Sequence, residues 1–540
     1  MPGLVLAVHD VFPEALMLLV GLLYLIATVA VFALTSLATR RAWARPTVAD
    51  VFTDHMVLQR DVDLPVWGTG DPGESITVEV AGATADARAD ADGAWRATLP
   101  PLSAGGPHEM VVRGAESVAF ADVMVGEVWI ASGQSNMEWP MSASLHVAEY
   151  LPAATDADLR LFTCPHVMFD EPVDRVDGSW TPCTPQAAHG FSAAAYHFGR
   201  HLRQELGVPV GLINASWGGS WIEAWISRPT LESDDAFAEG LARYENALRA
   251  YEAGMADMAW RTHEYRVGMR SAMQGGGEFP AEPTPPGDPR EQANRPAGMY
   301  NGMVAPVIPY AIRGALWYQG ESNAISSLSY AYRGLLHALI QDWREAWDMG
   351  PFPFLVVQLP DWLMPPEEPE DDMWAEIRES QAAALELENT GLTVTLDIGD
   401  ADDIHPPNKR DVGARLALNA LRIAYGQDVL DSGPTYAGMQ DEAEEAAVRI
   451  SFDNVGAGLT TVGGKALAGF AIAGSDRKFR WAQAEIDGDT VVVRSDLVRH
   501  PAAVRYAWAS NPLCNLTNDS GLPAAPFRTD DWPGITDDNQ

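Results

Sequence analysis

Ser135, His405 and the two aspartates just before that histidine are the residues of this chain whose types could do chemistry together. Ser135 lies in Val123–Trp139, VMVGEVWIASGQSNMEW, where an apolar run of strand length breaks off at Ala131-Ser132-Gly133. A buried strand ending in Gly-Gln-Ser-Asn presents a hydroxyl at the carboxyl edge of a sheet, where open α/β folds bind their ligands. A second strand-like run, Pro209–Ile213, breaks into Asn214-Ala215-Ser216-Trp217-Gly218-Gly219, whose glycines leave backbone N–H groups free. A third, Ile312–Tyr318, closes with Gln319-Gly320-Glu321-Ser322-Asn323, and a fourth, Leu392–Leu396, runs into Asp402-Asp403-Ile404-His405. Acyl transfer by a serine requires such a set: a hydroxyl, a base to take its proton, an acid to hold that base, and donors fixed where an oxyanion will form. Either Asp402 or Asp403 could meet one imidazole nitrogen of His405 while the other faces Ser135.

The elements that would position these residues follow from the patterning. Strand-like and helical segments alternate from residue 122 to about 427, including a helical stretch Ala193–Leu206 and another from Asp411 to Tyr425. That order predicts a largely parallel three-layer α/β domain, taken as 122–430. Residues 230–296, a long amphipathic segment followed by a Gly/Pro-rich loop, read as an insertion over one face of this domain. Short alternating runs separated by turn clusters predict a β-sandwich over 47–121 and a second β-rich module over 431–540, with Asp487-Gly488-Asp489 turning a hairpin.

Composition bounds the partners. Over 540 residues the formal charge is −38, which argues against nucleic acid and anionic membrane surfaces as ligands. Only three of the 36 basic residues are lysines, Lys409, Lys465 and Lys478. Cys164, Cys183 and Cys514 have no metal-ligand spacing, so neither a disulfide framework nor a structural metal site is expected. Ala15–Ala38 carries no charge over 24 positions, enough to span a bilayer, so residues 1–46 are expected to be a transmembrane segment or signal anchor. A cleaved signal peptide competes, with Ala42-Trp43-Ala44 as its cleavage site. The expected location is the cell envelope, by a retained anchor or by export.

GQSNMEWPM at Gly133–Met141, WYQGESNA at Trp317–Ala324 and DIHPPNKRDVGARLA at Asp403–Ala417 resemble the motifs of the sialate O-acetylesterase family, a branch of the SGNH hydrolases. DHMVLQR at Asp54–Arg60, NASWGGSWIEAW at Asn214–Trp225 and CNLTNDSGLPAAPFRTD at Cys514–Asp530 extend the resemblance over about residues 50 to 530. It implies an SGNH three-layer α/β/α domain flanked by β-modules, and cofactor-independent hydrolysis of O-acetyl groups on sugars. Carried over, Ser135 is the nucleophile, His405 the general base and Asp403, or alternatively Asp402, the acid of the triad. The oxyanion hole is then the N–H of Ser135, the N–H of Gly219 and a side-chain amide, Gln319 or alternatively Asn323. Glu321 supports the base from behind, and Trp139, Trp217 and Trp221 are candidates for stacking on a sugar ring. An acetylxylan or other polysaccharide deacetylase is the alternative substrate reading, and a non-catalytic membrane-tethered glycan-binding protein the alternative of another class.

Overall fold

The computed structural model describes residues 46–537, which fall into two compact units. The expected membrane segment Ala15–Ala38 lies outside the described residues. Among the described residues no helix is long and apolar enough to cross a membrane.

The smaller unit comprises residues 46–48, 66–99 and 110–119. Ser75–Val80 pairs antiparallel with Ala83–Arg88 and with Met110–Arg113, and Ala94–Leu99 lies in a second small sheet. Ser75–Val80 and Ala94–Leu99 alternate exposed and buried residues, so Ile76, Val78, Val80, Trp95, Ala97 and Leu99 point to one side and form the core.

The central sheet of the larger unit runs through β1 (Ser117–Gly133, from Phe120 onward), β2 (Asp156–Thr163), β3 (Thr181–Cys183), β4 (Val210–Ser216), β5 (Gly314–Tyr318), β6 (Phe354–Val357) and β7 (Thr390–Thr393). Their order is β3-β2-β4-β1-β5-β6-β7. The six from β2 to β7 along that path run parallel, while β3 pairs antiparallel. The fold is thus mixed α/β, with parallel pairs along this path and antiparallel pairs at β3 and in the strands elsewhere in the chain.

Near-continuous apolar runs in these strands, from Val128 to Ala131 and from Ala315 to Tyr318, are buried throughout, as strands covered on both faces must be. Among the helices are α1 (Ser135–Glu138), α2 (Ala193–Leu206), α3 (Ala238–Met273), α4 (Glu321–Ile325), α5 (Tyr332–Trp347), α6 (Met373–Ala382) and α7 (Lys409–Ile423). Trp129 packs edge-on against Phe198 of α2 at 5.0 Å. Trp317, registered opposite Ser132 and so on the other face of the sheet, meets Trp343 of α5 at 6.1 Å. α2 starts at Ser192, whose hydroxyl accepts from the Ala195 N–H, and α7 at Asn408, which caps the Asp411 N–H.

Because β1, β4, β5 and β7 are parallel, the segments that follow them emerge at one edge of the sheet. The C-terminal strands pack a further core in which Val394 and Leu396, just beyond β7, join Val448, Ile450, Ile472, Val491 and Val504. Helix α3 is a largely solvated element of 36 residues, of which Ala272 alone is buried.

α2 and α7 cross closely at Gly413, where a Cβ would lie 2.6 Å from the Phe198 nitrogen and 2.7 Å from the Ala194 oxygen. Gly413→Ala is therefore expected to destabilise the larger unit by about 1–3 kcal/mol and lower its melting temperature by a few degrees, read by thermal unfolding. An unchanged melting temperature would contradict this crossing.

Candidate active site

Ser135 reaches the sheet edge through a turn that only glycine can make. Gly133 has φ +133°, and a Cβ there would sit 2.1 Å from the Tyr318 carbonyl oxygen of the neighbouring strand. The same carbonyl accepts the Gln134 N–H at 2.9 Å, so the turn is fastened to the end of β5. Ser135 then opens α1, half-buried, with its Oγ 2.8 Å from Nε2 of His405. Serine and imidazole are 270 positions apart in the chain and meet because β1 and β7 end at the same edge.

His405 is set by its own loop. Asp403 Oδ1 accepts the His405 backbone N–H at 2.8 Å and lies 3.6 Å from Nδ1, beyond hydrogen-bond range. Asp402 has no contact with the imidazole; its N–H instead donates to Asp400. Burial holds the His405 pKa below the usual 6.5, the Lys409 charge lowers it further, and Asp403 acts in the opposite direction. The flat face of the ring stacks on Trp139, 5.2 Å between centroids and 15° from parallel.

Beneath the pair, Asn136 joins three loops. Its Nδ2 donates to Glu321 Oε1 at 2.5 Å and to the Ile404 carbonyl at 3.0 Å, and its Oδ1 accepts from the Lys409 ammonium. Lys409, Glu321 and Asn136 are all buried. Burial pushes the Glu321 carboxyl up and the Lys409 ammonium down to about 7, each toward its neutral form. Glu321 therefore reaches His405 through Asn136 and the loop carbonyl, with no contact to the ring.

The structure does not bring either expected amide of the QGESN loop to the serine. Gln319 is fully buried, and its Nε2 donates to Gln134 Oε1, the Ser220 carbonyl and Asn323 Oδ1. Asn323 donates to Glu223 and accepts from the Ile222 N–H. Both amides are occupied in knitting the β1, β4 and β5 loops together below the site, a use that spacing alone does not reveal. The N–H groups of Ser135 and Gly219, by contrast, have no acceptor among the described residues.

A cleft of about 560 Å³ opens over Ser135 and His405. Trp139 lines it; Trp217 stands behind its wall, stacked on the lining His166 at 4.5 Å. Trp221 does not line it. That indole lies under Arg243 of α3, 5.4 Å from the guanidinium, in a separate small cavity with Glu223 and Tyr244. Sequence reasoning missed Glu138, His166 and Asn214, which line the cleft. Glu138 carried a readable signal, since it falls three residues after Ser135 on the same helical turn. Its Oε2 accepts the Gly218 N–H at 2.6 Å, and Oε1 is 3.4 Å from His166 Nε2.

Residues 290–422 match a family model described as carbohydrate esterase, sialic acid-specific acetylesterase. The chain is 29% identical to the sialate O-acetylesterase of Mus musculus over 534 residues, covering 89% of this chain and 93% of that protein. It is 28% identical to the sialate O-acetylesterase of Homo sapiens, covering 90% of this chain and 93% of that one. Among solved structures, a carbohydrate acetylesterase from Xanthomonas citri superposes with a TM-score of 0.76 at 38% identity, covering 90% of this chain and all of the other. With 38% identity and near-complete coverage on both sides, and a serine–histidine pair at the sheet edge, the chain belongs to the carbohydrate acetylesterases.

Proposed function

We propose that this esterase releases acetate from O-acetylated sugars through an acetyl-enzyme on Ser135, within an SGNH-type three-layer α/β/α domain. The observation that carries the reading is the 2.8 Å contact between Ser135 Oγ and His405 Nε2 above the carboxyl ends of parallel strands. Neutral His405 takes the hydroxyl proton as Oγ bonds to the acetyl carbon, and the carbonyl oxygen gathers the displaced electron pair. The unpaired N–H groups of Ser135 and Gly219 are the donors for that oxyanion. Collapse breaks the bond to the sugar oxygen, which leaves with the proton held on His405. Water then repeats the sequence on the acetyl-enzyme, giving acetate and free serine. Asp403 stabilises the imidazolium from the Nδ1 side, across a gap of the kind that closes when substrate binds. For location, the uncharged stretch 15–38 supports the cell envelope, and fractionation of the expressed full chain checks it.

Ser135→Ala is expected to reduce release of acetate from p-nitrophenyl acetate by about 10³-fold or more, while the melting temperature stays unchanged. Wild-type turnover in that variant would overturn the assignment.

The pH dependence has a definite sign. His405 must be neutral to accept the proton, so activity rises as pH passes its pKa, which burial and Lys409 hold below 6.5 and Asp403 raises. Lys409→Met is expected to move the acidic limb of kcat/KM to higher pH. Asp403→Asn should move it to lower pH and reduce the plateau by about 10²-fold or more. Limbs that shift in the reverse order would contradict these roles.

A further inference from the structure

Resting on the esterase reading above, we propose that the cleft prefers O-acetylated sugars carrying no carboxylate over acidic sugars such as sialic acids, with Glu138 as the residue that sets this preference. Glu138 is 37% exposed at the side chain and lines the cleft beside the nucleophile. It is not free to swing aside, because Oε2 is held by the Gly218 N–H at 2.6 Å. Gly218 itself packs on the serine: a Cβ at that position would lie 3.3 Å from Ser135 Cβ and 3.2 Å from the Glu138 carboxylate. A fixed negative charge is thereby set next to the atom that attacks the ester. Asp403, half exposed and 3.6 Å from the imidazole of His405, adds a second carboxylate beside the same histidine.

The cationic groups nearby do not offset this for an incoming anion. The Lys409 ammonium is fully buried and engaged by Asn136. His166 lies 3.4 Å from Glu138 and 3.0 Å from the Ser216 carbonyl, so its Nε2 is already engaged by groups of the protein. No arginine or lysine lines the cleft among the described residues. A ligand carboxylate in this space meets the charge of Glu138 in the cleft wall, with Asp403 of the same sign on the far side of the His405 ring. The net charge of −38 slows its approach as well. A neutral sugar meets the reverse situation. Its hydroxyls donate to the Glu138 carboxylate in charge-assisted bonds, and its C–H faces pack on Trp139 and on the His166 ring backed by Trp217.

The test compares two substrates that differ only in charge, 9-O-acetyl-N-acetylneuraminic acid and its C1 carboxamide, together with a mono-O-acetylated xylo-oligosaccharide and p-nitrophenyl acetate, using the full chain. At low ionic strength, kcat/KM for the carboxamide and for the xylo-oligosaccharide is expected to exceed that for the free acid by about fivefold or more, and the gap to narrow as salt rises. Glu138→Gln should shrink the acid-to-carboxamide gap to about twofold or less. That ratio is read within one preparation and does not depend on the folded fraction. A free acid turned over as fast as its carboxamide overturns the proposal, and so does a gap unaltered by Glu138→Gln. Loss of the serine reading would show separately, as p-nitrophenyl acetate hydrolysis that survives Ser135→Ala.

Discussion

The geometry of the site depends on the amide of Asn136. Its one carboxamide is bound by the loop after β5 through Glu321, by the loop after β7 through the Ile404 carbonyl, and by the first residue of α7 through Lys409. Its own backbone continues the helix that Ser135 opens. Two stretches distant from it in the chain, at Glu321 and at Ile404–Lys409, are thus registered against the nucleophile by one buried side chain. A buried polar group of this kind stabilises only when every partner is present, and leaving one unpaired costs about 1–3 kcal/mol. The floor thus ties the loops that carry the serine and the histidine to one another.

A second polar layer lies beside the first. Gln319 ties Gln134, Ser220 and Asn323 together, and Asn323 passes the connection to Glu223, buried with its carboxyl pushed up by desolvation. Arg243 of α3 stands 3.5 Å from that carboxylate. The helical insertion is therefore in electrostatic contact with the group that positions the QGESN loop, although almost all of its length faces water.

The chain makes some of this architecture readable in advance. Apolar runs that stop abruptly at Gly, Ser or Asp announce strand ends, and four of them carry the residues that meet here: Gly133-Gln134-Ser135, Trp217-Gly218-Gly219, Gln319–Asn323 and Asp403–His405. Side-chain direction is the part that spacing leaves undetermined. Gln319 sits nearest its strand end yet points its amide into the floor, because three acceptors there outcompete open solvent. Trp221 follows Gly219 closely, but the turn carries its indole to the guanidinium of Arg243 and away from the cleft. Glu138 went unread for the opposite reason, since its importance lies in an N–H from another strand's loop.

Lys409 brings out a further property of the floor. In a chain that uses arginine for nearly all its basic positions, the fully buried Arg378 among them, the basic residue under the site is a lysine. A guanidinium could not release its proton in such surroundings and would impose a permanent ion on them. An amine whose affinity for hydrogen ions is brought down to about 7 can shed that ion and stay seated. The foundation of the site thus carries a cation that burial has brought close to giving up its proton.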